Sequence, residues 1–118
     1  MLPYLTTLFL LTVVSPLSAQ TNATAISLTQ VRQIRELKPE DAEKNLPVRI
    51  HGVITYYDPP FYNLFLQDAT AGIFVLMDTN MESTLRAGLE IEVIGVSAKG
   101  DFAPLVKPTS IRVLGEGS

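Results

Sequence analysis

The side chains able to do chemistry are few and far apart. His51 is the only histidine and there is no cysteine, so one imidazole and no thiolate are available. Serines and aspartates occur elsewhere, but no G-x-S-x-G elbow or other grouping sets a nucleophile beside a base. Asp58, Asp68, Asp78 and Asp101 stand at turn-like positions without EF-hand spacing, which reads as turn capping and predicts no metal or cofactor. His51, beside Arg49 and Val53, reads as a partly exposed structural histidine. The expectation is a protein that is not an enzyme. What the chain does offer is aromatic rings: Tyr56, Tyr57, Phe61, Tyr62 and Phe65 close together, and Lys99, Asp101 and Phe102 further on. Each ring presents a flat apolar face suited to stacking on a sugar or a base. Tyr57, Phe61, Tyr62, Phe65, Lys99 and Phe102 are therefore the candidate ligand-binding residues; the alternative is that Phe61 and Phe102 plug the barrel ends.

These residues must be positioned by strands. Val48 to Tyr57 is rich in β-branched and aromatic residues and ends at the turn tripeptide Asp58, Pro59, Pro60. Alternation puts Val48, Ile50, Gly52, Ile54 and Tyr56 on one face, the natural core face, and Arg49, His51, Val53, Thr55 and Tyr57 on the other. Gly52, without a side chain to clash, lets this long strand bend and serve two sheets. Leu64 to Gln67 and Ile73 to Met77 flank ATAG, where Gly72 is expected to supply a positive φ. Both of these strands are apolar on both faces, so something must cover the second face: N-terminal helical pieces, a neighbouring domain or a ligand. Asp78 to Leu85 fits a short helical turn. A fourth strand spans Glu90 to Ser97, and a fifth about Leu105 to Leu114, with Pro108 marking an edge or a bulge.

Ahead of the strands, Leu28, Val31, Ile34 and Leu37 recur every three residues, with Thr29 as a candidate cap, and Pro39 starts PEDAEK with acids in its first turn. These two helical pieces are expected to cover one end of the barrel. Residues 1–19 carry no charge, and Leu5 to Val14 is a short apolar run followed by SPLSA, the pattern of a secretory signal cleaved after Ala19. The run is too short to span a bilayer, which takes about 18 apolar residues. The n-region has only the terminal amine for positive charge, and Leu17 is bulky for its place. Residues 20–27 read as a flexible leader that includes the sequon Asn22, Ala23, Thr24, residues 28–114 as the folded domain, and 115–118 as a tail or truncated linker. An exported domain without cysteine takes its stability from packing alone. The net charge of −3 disfavours indiscriminate polyanion binding, so nucleic acid is not the expected partner.

Five strands with a bent, glycine-bearing first strand and a helical insert between the third and fourth are the layout of an OB-fold, a mainly all-β, five-stranded Greek-key barrel. An immunoglobulin-like sandwich needs about seven strands, which this length does not supply. OB barrels bind through the outer face of strands two and three and the loops after strands one and four, where the ring-bearing candidates lie.

The strings VRIHGVITYYDPP, LFLQDATAGIFV and LRAGLEIEVIGVSAKGDFAPLV resemble the exported OB-fold-like segment at the N-terminus of certain bacterial membrane-bound sensor histidine kinases. The shared features are G-V-[IV]-T-Y at Gly52 to Tyr56, LQDATAGIFV at Leu66 to Val75, and G-x-FAP at Gly100 to Pro104. The resemblance spans about Ile26 to Leu114. It implies an extracytoplasmic, periplasmic input or scaffold role in a two-component system, with no catalytic residue to carry over. This chain itself holds no transmembrane helix, phosphoacceptor region or ATP-binding glycine box, so any membrane link runs through a parent protein. Three functions are thus expected in turn: a sensory module contacting a small ligand or a neighbouring domain, an OB-fold binding single-stranded nucleic acid or oligosaccharide, and a structural spacer.

Overall fold

The computed structural model describes residues 26–78 and 84–117. Its order is α1 (Val31–Arg35), α2 (Pro39–Ala42), β1 (Pro47–Asp58), a 3₁₀ turn (Pro59–Phe61), β2 (Asn63–Gln67), β3 (Gly72–Leu76), β4 (Leu89–Ala98) and β5 (Leu105–Glu116). The five expected strands form within two residues of their predicted ends. They close into a barrel in the order β1-β2-β3-β5-β4, in which only the β3 to β5 contact is parallel. Most of the helical turn expected between β3 and β4 lies outside the described residues; Asp78, Thr84 and Leu85, at its edges, are not helical. Among the described residues no helix is long and apolar enough to cross a membrane.

Burial follows the period of two. Val48, Ile50 and Ile54 of β1, Leu64 and Leu66 of β2, Ile73 and Val75 of β3, Ile91 and Val93 of β4, and Val106 of β5 fill the interior. Strand β1 pairs with β4 from Pro47 to Val53 and with β2 from Val53 to Asp58, so it changes partner at one residue. Gly52 sits at that hand-over, where a Cβ would collide with the carbonyl of Gln67. What requires the glycine is thus the close approach of β2 to β1.

Two expectations are corrected. A bulge between Ile54 and Tyr56 breaks the alternation. Tyr57, not Tyr56, packs against the core, and Tyr56 lies half exposed on the outside. Gly72 has no positive φ and belongs to β3. The reversal is made by Asp68: one carboxylate oxygen accepts the Thr70 N–H (2.7 Å), the Thr70 hydroxyl (2.6 Å) and the Ala71 N–H (3.0 Å). This is the side-chain turn for which aspartate is suited.

The second oxygen of Asp68 accepts the N–H of Val31 (2.9 Å), and Thr70 Oγ1 accepts that of Arg32 (3.0 Å). The β2–β3 turn therefore holds the start of α1, whose Val31 and Ile34 complete the core at that end of the barrel. The helix starts one residue later than expected, with Gln30 rather than Thr29 at the cap. Gln33 Oε1 accepts the N–H groups of both Thr29 and Gln30. Leu28 bridges Val48 in parallel and continues the sheet beyond the end of β2. The helical pieces cover a barrel end, as expected, and leave the outer face of β2 and β3 open. Pro108 sits at a bulge against Ile94 and Gly95, with Thr109 Oγ1 bonded to the Ile94 carbonyl (3.0 Å).

Candidate ligand-binding face

The outer face of β1, β2 and β3 carries a row of rings set by strand register. Tyr56 pairs with Phe65, and Phe65 with Phe74. The ring centroids are 6.4 Å apart for the first pair and 5.3 Å for the second, the latter edge to face at 83°. Both arrangements are favoured by the ring quadrupoles. Beside this row runs an open groove of about 820 Å³, floored by Phe65, Phe74 and Leu76 and walled by the β4–β5 loop and the N-terminal segment. Phe102 lines it yet is wholly exposed, and Leu76 is 38% exposed.

Of the residues singled out from sequence, the groove unites Phe65, Lys99, Asp101 and Phe102. Phe61 (69% exposed) and Tyr62 stay on the β1–β2 connection, outside the groove, and Tyr57 turns inward. Neither Phe61 nor Phe102 plugs a barrel end. Tyr62 closes the 3₁₀ turn with a left-handed φ of 58°, and Asn45, on the groove wall, has a φ of 57°. Such backbone is uncommon for residues other than glycine, above all for a bulky ring.

Sequence reasoning left out Phe74, Leu76, Arg35, Glu43 and Lys107. Phe74 was within reach: pairing Gln67 with Gly72 across the turn places it opposite Phe65. Arg35 and Glu43 come from helical pieces whose approach to this face depends on tertiary contacts. One of these is Ser97, the only buried polar residue among those described. Its hydroxyl donates to the Ala42 carbonyl (2.8 Å) and accepts the Leu46 N–H (2.9 Å), which fastens the segment bearing Glu43 and Asn45 to β4.

Charge is divided between two faces. Across β1, β4 and β5, Glu92 accepts from Arg49 (3.3 Å) and Arg112 (3.1 Å), and His51 Nδ1 lies 3.6 Å from Glu90. Arg86 pairs with Glu116 and Lys44 with Asp41. Arg35, Lys99 and Lys107, all lining the groove, make no ion pair among the described residues; Arg35 donates only to the Gly72 carbonyl (3.0 Å). Tyr56 donates to Asp58 (3.1 Å), and this bond, with the nearby carboxylate charge, raises its pKa above the usual phenol value. Among the described residues no group of three or more His, Asp or Glu side chains could hold a metal.

No protein-family model matches the chain, and no curated protein sequence matches it. Solved structures do. The hypothetical protein YgiW from E. coli superimposes with a TM-score of 0.61 at 17% identity, over 82% of this chain and 100% of that one. The telomere capping protein Ten1 from Saccharomyces pombe gives 0.56 at 16%, over 76% and 81%. The domain is OB-fold-like. At these identities the likeness concerns the fold, and within that fold the Tyr56, Phe65 and Phe74 row occupies the outer face of β1 to β3.

Proposed function

We propose that this chain is a non-enzymatic, exported OB-fold recognition module, acting as the extracytoplasmic input segment of a membrane-bound signalling kinase. The observation that carries the recognition part is the groove floor: Phe65, Phe74 and Leu76 form an apolar surface that no element of the described fold covers, with Phe102 standing free beside it. Leaving the wholly exposed Phe102 in water forgoes roughly 1.5–3 kcal/mol of burial, and the part-exposed floor a fraction of that for each side chain, which favours their retention for a partner. The left-handed backbone of Tyr62, a bulky ring on the turn that leads into β2, supports the same reading. Export is supported by the uncharged apolar run at Leu5 to Val14 and the small residues up to Ala19. The kinase setting is supported by the resemblance of GVITY, LQDATAGIFV and GDFAP to such input segments.

The module reading is tested by adding a soluble extract of bacterial envelope to the ¹⁵N-labelled chain and following its amide resonances. Saturable shifts confined to Phe65–Leu76 and Lys99–Leu105, weakened in a Phe102→Ser variant of unchanged melting temperature, are expected. An unmoved face would remove the recognition role. Export is tested by fusing a reporter that is active only outside the cytoplasm after residue 118, and inactivity would remove it. For the kinase setting, the gene's reading frame must also encode membrane and kinase segments.

A further inference from the structure

Resting on the recognition face just proposed, the chemistry of its rim narrows the class of ligand. The rim carries donors and acceptors together: Arg35, Lys99 and Lys107 against Glu43 and Asp101. A phosphodiester chain would gain from the three cations but meet two carboxylates at close quarters, and like charge at an interface disfavours a partner strongly. Sugar hydroxyls both donate and accept, so carboxylates and cations serve them equally. The floor adds the apolar requirement, since the ring faces of a pyranose pack on aromatic side chains while its edges carry the hydroxyls. A peptide could not join as an extra strand here, because β2 and β3 already have neighbours on both sides.

We propose that the groove binds a neutral or sparsely charged oligosaccharide, with one sugar ring held between Phe102 and the Phe65–Phe74 floor and its hydroxyls bonded to Asp101, Glu43 and Lys99. Phe102 is the specificity-bearing ring. It is wholly exposed when the groove is free and sits in the β4–β5 loop, so closing on a sugar buries it without disturbing the barrel core. The rim charges nearly cancel, so binding depends little on salt.

The test titrates the ¹⁵N-labelled chain with neutral tetrasaccharides of glucose, N-acetylglucosamine, galactose and mannose, and separately with dT12, at low and moderate salt. At least one tetrasaccharide is expected to shift the amides of Phe65–Leu76 and Lys99–Leu105 saturably and independently of salt. Phe102→Ala weakens that binding about tenfold, equivalent to about 1.4 kcal/mol, and leaves the melting temperature unchanged because the side chain touches no core. The charge-reversed variant Glu43→Lys/Asp101→Lys loses the sugar and gains dT12. If no tetrasaccharide moves these amides while dT12 does so in a salt-dependent way, the oligosaccharide is wrong and the recognition face stands. If envelope extract alone moves them, the oligosaccharide is again wrong and the face stands. If nothing moves them, both readings fall.

Discussion

The carboxylate of Asp68 accepts the backbone N–H of Val31 at 2.9 Å, so the turn between β2 and β3 anchors a helix that lies 37 residues earlier in the chain. The same side chain forms the turn itself. Partial burial opposes ionisation of Asp68, but hydrogen bonds from the Thr70 hydroxyl and from the N–H groups of Val31, Thr70 and Ala71 outweigh it and hold the pKa below the usual carboxylate value. A depressed folded-state pKa contributes stability that is complete above the unfolded value, near 4, and is lost as pH falls through the folded one. Asp68→Asn, which cannot carry the charge and turns an amide donor toward one set of N–H groups, is expected to cost about 1.5–3 kcal/mol at neutral pH. In urea denaturation at several pH values, the gap between wild type and variant should shrink below about pH 4. A constant gap would mean that the carboxylate's charge contributes nothing.

Ser97 illustrates a second long-range tie. It bonds both Ala42 and Leu46 from a fully buried position, joining the α2–β1 connection to β4. Ser97→Ala leaves a buried carbonyl and a part-buried N–H without that partner, at an expected cost of about 1–3 kcal/mol. For a domain of this size, that corresponds to a fall in melting temperature of roughly 4–8 °C per kcal/mol. Hydrogen exchange provides the specific check: the Leu46 amide should lose protection more than the amides of Ile50 or Ile91 do. Uniform loss would show that Ser97 supports the barrel as a whole rather than the groove wall.

The barrel was legible because each strand follows one rule, alternation or a short apolar run between turn residues, and β4 obeys it nearly throughout and β1 as far as its bulge. The exceptions arise where a contact distant in sequence decides. The bulge at Thr55 exchanges the faces of Tyr56 and Tyr57, and no local residue announces it. Asp68 takes the turn from Gly72 because it has α1 to bind as well as its own neighbours. On the ligand face the rings were visible as residue types, but their grouping was not. Phe65, Lys99 and Phe102 meet because β3 and β5 close the ring of strands, whereas Phe61 and Tyr62 remain on a neighbouring turn. Arg35 and Glu43 join the rim through Asp68 and Ser97, two polar side chains whose partners lie tens of residues away.

Gly95 is the counterpart of Gly52 on the neighbouring strand β4, facing β5 instead of β2. A Cβ there would collide with the Lys107 carbonyl and the Pro108 Cα, both backbone, at the bulge where β5 crosses β4. Gly95→Ala is expected to destabilise by about 1–3 kcal/mol, the usual cost of forcing atoms into a packed site. Chemical denaturation measures this directly. A neutral result would show that the bulge shifts freely, and the Pro108 bulge would then no longer account for the glycine.

The last relationship open to measurement is the coupling of the outer rings. Phe65 and Phe74 lie edge to face with centroids 5.3 Å apart, on adjacent strands. If this pair forms a preorganised platform, the two rings should stabilise each other without a ligand, by about 0.5–1.5 kcal/mol beyond their separate burial. A double-mutant cycle of Phe65→Leu, Phe74→Leu and the combined variant isolates that energy from the loss of apolar area, because leucine retains most of the area but not the quadrupole. Coupling in this range is expected at neutral pH, with Tyr56→Leu adding a smaller value in keeping with its wider 6.4 Å spacing and tilted geometry. Coupling near zero would mean that the rings are independent until a ligand orders them. Phe65 and Phe74 would then contribute to binding by induced packing, and the single Leu variants should weaken oligosaccharide binding additively.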